Sequence, residues 1–120
     1  VTPVFSASYS GLFKTFFDVL EPNLLRGKPV LLAATAGTAR HSLVLEHALR
    51  PLFSYLKAIT VPTAVFAATE DFGGTGSSEL SSRSAVAAGE LADLVTGSQV
   101  TPPPANPYET FTPFDQLLKG

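Results

Sequence analysis

Apolar positions along the chain alternate between helical spacing and short uninterrupted runs, which predicts alternating helices and strands. Phenylalanines and leucines recur every three or four residues after Ser10, which predicts a helix that ends before Pro22. Two further stripes predict helices over about residues 41–57 and 79–96. The last of these helices is expected to turn inward Leu80, Ala87, Leu91, Leu94 and Val95.

Two short apolar runs predict the strands. The run at residues 29–34 is bounded by glycine-containing turns and suits a parallel strand that is covered on both faces. The run at residues 59–68 contains Pro62, which cannot donate to a ladder, and it is therefore expected at a strand start or a sheet edge. Because strands alternate with helices, we predict an α/β fold with a parallel sheet.

Composition excludes several classes of function. The 120-residue chain has a net charge of −2 and scattered Lys and Arg, whereas a nucleic-acid surface needs clustered basic side chains. No run approaches the roughly 18 apolar residues of a membrane span. The chain has no cysteine, which excludes disulfides, thiolate metal sites and a Cys nucleophile. We therefore expect no nucleic-acid partner, no membrane partner and no metal; His41 and His47 lie on different faces of one predicted helix.

The segment at residues 2–11 is the first candidate site. Pro3 fixes φ and Gly11 allows close approach of a ligand, so the backbone amides between them suit the polar edge of a flat ring. Phe5 can cover such a ring, and residues 8–10 offer hydroxyls beside a helix N-terminus. By spacing alone, an ordinary strand end followed by an N-cap is the better interpretation.

The turn at residues 34–38 is the second candidate site, where a predicted strand leads into a predicted helix and Thr38 can cap the helix. Such turns are common in α/β proteins and indicate little alone. In a parallel sheet, however, the loops after neighbouring strands lie at one edge. Both candidate sites can therefore contact the same ligand.

Together these segments resemble the NADPH-dependent FMN reductases of flavodoxin-like fold. That family has Thr-Pro-Val-Tyr ending a central strand, then Ser-Tyr-Ser-Gly, Lys and Asp; this chain matches in register, with Phe5 in place of Tyr. The family's Ala-Thr-Gly-Gly-Thr loop corresponds to residues 34–38, with Ala36 in place of the first Gly, which matters if that position needs positive φ. The resemblance implies that FMN contacts Pro3, Val4, Phe5, Ser8, Tyr9, Ser10, Gly11, Thr35, Ala36, Gly37 and Thr38.

The resemblance also implies an architecture. Residues 1–96 would be the C-terminal part of a flavodoxin-like three-layer sandwich. The proline and apolar content of residues 97–120 indicates an extended Pro-rich C-terminal arm docked on its own domain or on a neighbouring subunit, and the alternative is a disordered end. The N-terminal strands and the loop that holds the FMN phosphate match no residue of this chain.

The activity that the resemblance implies is NADPH-dependent reduction of FMN, with the reduced flavin supplied to a flavin-dependent monooxygenase. It implies a cytoplasmic homo-oligomer, a dimer or a tetramer. No catalytic side chain is expected, because the flavin carries the chemistry. Alternatives are an FMN-bound reductase of quinones, azo compounds or metal oxyanions, a flavodoxin-type electron carrier, and an inactive fragment.

Two further positions carry open interpretations. Arg40 is either a contact for the 2′-phosphate of NADPH or a surface arginine. Pro51 removes the helix hydrogen bond to the His47 carbonyl, which predicts a kink or bulge at that point. His47 itself is either close to the flavin of a partner subunit or a buried structural histidine.

Overall fold

The chain forms a mixed α/β structure, seen in a computed structural model that describes residues 1–97 and the isolated residue 116. The proposed C-terminal arm therefore lies, but for that residue, outside the described part. Short 3₁₀ helices span Ala39–His41 and Thr69–Asp71, and a π-helix spans Leu45–Leu49. The strands are β1 (Thr2–Phe5), β2 (Ser8–Tyr9), β3 (Pro29–Val30), β4 (Ala33–Ala36), β5 (Ile59–Thr60) and β6 (Val65–Ala68), and the α-helices are α1 (Gly11–Asp18), α2 (Arg50–Tyr55) and α3 (Gly76–Thr96).

The main sheet has the strand order β2-β1-β4-β6. Strands β1, β4 and β6 run parallel, and β2 folds back antiparallel on β1 as a hairpin. Strand β3 pairs in parallel with β5. The predicted α/β class and parallel sheet are confirmed, and β6 lies at the sheet edge as expected.

Both predicted strands, residues 29–34 and 59–68, are interrupted where they lie side by side next to Pro62. The amide of Val61 donates to Val30, but the next ladder bond runs from Val65 to Leu32, so the offset between partners grows from 31 to 33. Pro62 has no N–H, and the amide of Thr63 donates instead to the Glu90 carboxylate, at 2.8 Å. A two-residue bulge therefore separates β5 from β6 and, on the facing chain, β3 from β4.

The predicted helix over residues 41–57 is present but shorter. A separate 3₁₀ helix ends at His41, and the π-helix Leu45–Leu49 continues directly into α2, which ends at Tyr55. The expected bulge before Pro51 is confirmed. In the π-helix, the amide of Arg50 donates to the Leu45 carbonyl, five residues earlier. Pro51 cannot donate, so the backbone widens ahead of it and resumes α-helical geometry in α2.

Arg50 joins this helix to the bulge. Its Nη1 donates to the Thr60 hydroxyl at 3.2 Å and to the Val61 carbonyl at 3.1 Å. Its Nη2 donates to the Pro62 carbonyl at 3.1 Å. The guanidinium thus supplies donors to carbonyl groups that the interrupted ladder leaves without strand partners.

The core lies between the sheet and the α1 and α2 helices. Phe17 of α1 packs edge-on against Phe53 of α2 with ring centroids 5.0 Å apart, and Phe13 packs on Phe17 at 4.8 Å. Leu49, which is only 1% exposed, lies beneath them in the same cluster. The opposite face of α1 is also apolar but is exposed, at Leu12, Phe16 and Val19. A helix that is apolar on both faces is typical of an element covered by another molecule or segment.

Helix α3 begins three residues earlier than about residue 79, at Gly76. It packs on β3 and β6 with Ala87 fully buried. The prediction that Leu94 and Val95 point inward is wrong, since they are 37% and 68% exposed. The apolar stripe of this helix is longer than the strip of sheet that the helix covers. Within residues 1–97, no helix is both long and apolar enough to cross a bilayer.

The ion pair between Glu46 and Arg50 predicts a measurable pH dependence. Arg50 donates to both carboxylate oxygens, at 2.7 and 3.0 Å, and these hydrogen bonds hold the pKa of Glu46 below its ordinary value of 4.5. A folded-state pKa below the unfolded one means that the pair stabilises the protein above about pH 4.5. That stability is lost as the pH falls through the folded-state pKa. Because the Glu46 side chain is 51% exposed, the contribution is only about 0.5 kcal/mol.

We expect Glu46→Gln to flatten this dependence. Denaturant unfolding of the wild type from neutral to acidic pH should lose about 0.5 kcal/mol more than unfolding of the variant. Glu21→Gln is the matched control, since no ion pair within residues 1–97 involves Glu21. Parallel curves for the wild type and Glu46→Gln would contradict the assignment.

Candidate functional site

The carboxyl ends of β1, β4 and β6 meet at one edge of the sheet. Thr2 pairs with Ala34 and Pro3 with Thr35, and extending this register by one residue sets Val4 beside Ala36. Neighbouring strands lie about 4.8 Å apart. The structure therefore brings together the two segments that sequence reasoning singled out separately.

The turn between β1 and β2 has an unusual backbone. Ser6 and Ala7 have φ of 49° and 63°, and the pairing of Phe5 with Ser8 closes a two-residue hairpin around them. Such hairpins favour Asn-Gly, because a non-glycine residue in the left-handed region costs roughly 1–2 kcal/mol. Strained turns of this kind cluster at ligand sites. Sequence reasoning missed the turn because Ser-Ala lacks the Asn-Gly or Asp-Gly signature of a two-residue hairpin.

Several hydroxyls of the first segment stabilise the local fold. The Ser10 hydroxyl accepts from the Phe13 amide at 3.1 Å and caps α1, and the Ser10 amide donates to the Thr2 hydroxyl at 3.1 Å. Tyr9 packs on Phe13 with ring centroids 6.0 Å apart. Ser8 is half-buried in β2. The strand-end and N-cap interpretation is therefore correct for Ser10, and it holds beside the expected ligand contact.

The second segment is the end of β4 and the turn after it, with Thr35 and Gly37 exposed and no strained backbone angle. Within residues 1–97 the only non-glycine residues with positive φ are Ser6, Ala7 and Lys57, so Ala36 replaces a family glycine without backbone strain. Gly37 is exposed, and a Cβ placed there would meet no atom within 4 Å. The Thr38 hydroxyl accepts from the Arg40 amide at 3.3 Å, as the predicted cap. Folding alone gives no reason for a glycine at position 37.

The residues present fit the ring of FMN. Phe5 is 64% exposed beside the strained turn, Thr35 and Gly37 are exposed next to it, and no predicted contact residue is charged. An uncharged, open edge with backbone amides is suited to a flat heteroaromatic ring. The same residues offer neither a cation nor a Ser/Thr-rich loop for the FMN phosphate.

Beside the Ser6–Ala7 turn lies a hollow of about 300 Å³, here named the basic hollow. His47 is exposed on it, so the interpretation of His47 as a buried structural histidine is wrong. His41 lies on the same hollow, because the helix breaks between the two histidines instead of carrying them on opposite faces. The residues that line the basic hollow include Ala7, Arg40, His41, Leu43, Val44 and His47.

Two acids connect the loops at this edge. The Asp71 carboxylate accepts from the Ala68 amide at 2.8 Å, and the Glu70 carboxylate accepts from the Ala39 amide at 3.4 Å. Both side chains therefore bond to the backbone of the loops at this edge. In the described part of the chain, no three His, Cys, Asp or Glu side chains come together as potential metal ligands.

Substitution by glycine is expected to have opposite effects on stability in the two segments. Ala7→Gly should raise the free energy of unfolding by about 0.5–1 kcal/mol, because it relieves a left-handed φ. Ala36→Gly, which installs the glycine of the related loop in an extended strand, should lower it by about 0.5–1 kcal/mol through chain entropy. Chemical denaturation measures both, and a stabilising Ala36→Gly would show that the position needs glycine after all.

Comparison with known proteins finds flavin reductases that are similar to this chain. A family model described as NADPH-dependent FMN reductase matches residues 1–73. The FMN reductase (NADPH) of Pseudomonas aeruginosa is 56% identical over 71 residues, which cover 59% of this chain and 38% of that protein. The NADH-dependent FMN reductase SfnF of Pseudomonas fluorescens is 54% identical over 70 residues, 58% of this chain and 37% of that protein.

A solved structure of an oxidoreductase from Corynebacterium diphtheriae superposes with a TM-score of 0.77 at 62% identity. The superposition covers 82% of this chain and 54% of that one. The chain spans well under half the length of the two curated relatives. Its parallel sheet and flanking helices have the flavodoxin-like arrangement of flavin oxidoreductases. Matched over more than half of its residues, the chain belongs to the NADPH-dependent FMN reductase family.

Proposed function

We propose that the protein to which this chain belongs transfers hydride from a nicotinamide nucleotide to FMN and supplies the reduced flavin to a flavin-dependent monooxygenase. The observation that carries the proposal is the parallel register of β1 and β4. It sets both family-like segments, residues 2–11 and 34–38, side by side at one open sheet edge. Membership of the FMN reductase family supplies the chemical class.

In this proposal the chain's residues bind and orient the ring. FMN supplies the hydride-accepting chemistry when it is bound. The amides of the Ser6–Ala7 turn and of residues 35–38 donate to polar ring atoms. Phe5 covers the ring and excludes water, and Gly37 leaves the space that the ring needs. No acid/base residue is required, because the reacting groups are carried by the two nucleotides.

The openness of the site supports release of the reduced flavin. Phe5 and Thr35 are exposed, so the edge that these residues line is open to solvent. A ring bound at an open edge buries less apolar surface than an enclosed one and is held less tightly. The alternative, a reductase of quinones, azo compounds or metal oxyanions, needs a flavin that stays bound.

Either nicotinamide nucleotide is compatible with this proposal, since one related protein carries NADPH in its name and another NADH. We place the reaction in the cytoplasm, where both nucleotides are available. We also propose a homo-oligomer, a dimer or a tetramer. The exposed apolar face of α1, formed by Leu12, Phe16 and Val19, supports association because such faces on proteins are usually covered.

NADPH oxidation by the purified protein tests the activity. We expect oxidation to depend on added FMN and the protein to emerge from gel filtration without flavin. A flavin that survives gel filtration, together with reduction of a quinone, would support the alternative enzyme. Failure to oxidise either nicotinamide nucleotide with any acceptor would contradict both enzymes and favour an electron carrier.

Gly37→Val tests the site itself. The added side chain meets no protein atom at its Cβ and position 37 has an ordinary φ, so the fold is expected to be retained. The side chain would occupy the space assigned to the flavin, and FMN affinity should fall about tenfold or more, equivalent to about 1.4 kcal/mol. Quenching of FMN fluorescence measures the affinity.

Gly89→Val is the matched control for this variant. Gly89 is also open around its Cα, but it lies in the middle of α3, away from the sheet edge. Its FMN affinity should equal that of the wild type. If both variants bind FMN like the wild type, the turn at residue 37 is not a flavin contact.

A further inference from the structure

The basic hollow lies next to the proposed flavin site but is not used by it. Ala7, in the strained turn, lies on one side of it, and the 3₁₀ helix Ala39–His41 and the π-helix lie on the other. Arg40, His41 and His47 all line it, and no acidic side chain does. Both histidines of the chain are on this one hollow. Its volume of about 300 Å³ is at the lower end of the range for small-molecule sites.

The acids near these segments are engaged elsewhere. Glu46, adjacent to His47, is held by two hydrogen bonds from Arg50. Glu70 accepts from the backbone amide of Ala39. Within residues 1–97, no hydrogen bond or ion pair engages the guanidinium of Arg40. The hollow therefore presents an uncompensated guanidinium and two imidazoles.

This set of donors suits a phosphate group. A guanidinium binds phosphate through two parallel hydrogen bonds, and imidazole nitrogens add single donors. The same hollow is also lined by the apolar residues Leu43, Val44 and Ala48. An apolar lining beside a cluster of donors fits a phosphate that is attached to a ribose and a base rather than a free inorganic ion.

We propose that Arg40, His41 and His47 bind a phosphate group of the nicotinamide dinucleotide. This assignment rests on the proposed function, because it is the neighbouring flavin site that brings such a nucleotide to this edge of the sheet. The phosphate is either the 2′-phosphate, which only NADPH carries, or the diphosphate bridge, which NADH shares. The chemistry of the hollow is the same for both, so the experiment separates them.

Proton and carbon NMR signals of the two histidine rings report on the hollow directly, and they require no catalysis. Adenosine 2′,5′-bisphosphate should shift both ring signals in a saturable manner, while adenosine should leave them in place. Arg40→Gln should weaken the bisphosphate affinity about tenfold or more, as expected for loss of a charged hydrogen-bond pair. Arg40 is exposed, so the variant should fold, and circular dichroism verifies this.

Arg26→Gln is the matched control, because it removes the same charge from the turn that precedes β3, away from the hollow. Its affinity should stay within about twofold of the wild type if binding depends on a contact and not on net charge. Adenosine 5′-monophosphate identifies the source. If the monophosphate binds much more weakly than the bisphosphate, the hollow binds the 2′-phosphate. If the two compounds bind equally, the hollow binds the diphosphate bridge.

Four results would overturn the proposal. They are ring signals that do not move with the bisphosphate, equal shifts with adenosine, equal losses in Arg40→Gln and Arg26→Gln, and inorganic phosphate binding as tightly as the nucleotide. The NMR titration does not depend on turnover, so the two proposals can fail separately. If the protein is inactive but its histidine signals still shift, the reductase proposal is wrong and the nucleotide site in the hollow stands. If the protein is active but its histidine signals do not shift, the reductase proposal stands and the nucleotide site is wrong.

Discussion

The parallel alignment of β1 with β4 is the constraint on which the rest of the site depends. The pairing of Thr2 with Ala34 fixes where each strand ends, and so places the two turns side by side. The side-chain hydroxyls nearby mostly serve the backbone, as Ser10 does at the start of α1. The site is therefore formed by main-chain geometry, with Phe5 as its one large exposed side chain.

Much of this could be predicted from the sequence. The periodicity after Ser10 located α1, the apolar runs located the strands, and Pro62 correctly indicated a sheet edge. The two turns were predicted to lie together because a parallel sheet gathers the carboxyl ends of its strands at one edge. Those features follow from the local pattern of apolar residues and from the general geometry of a parallel sheet.

Other features depend on contacts between distant residues, and local patterns do not contain them. The amide of Thr63 donates to the carboxylate of Glu90, 27 residues later, so the size of the bulge was not predictable from Pro62 alone. The position of His41 beside His47 depends on the break in the helix between them. The exposure of Leu94 and Val95 depends on how far the sheet extends beneath α3. For the bulge and for the end of α3, a partner far along the chain decides the outcome.

The carboxylate of Glu90 also has a mechanical consequence. It accepts from both the amide and the hydroxyl of Thr63, at 2.8 and 2.7 Å, and so anchors the bulge between β5 and β6 to α3. Strand β6 then leads to Glu70, which accepts from the amide of Ala39, next to Arg40. Helix α3 is thereby linked, through two hydrogen-bonded contacts, to the loops at the carboxyl ends of the strands. Residues outside the candidate site can thus set the alignment of those within it.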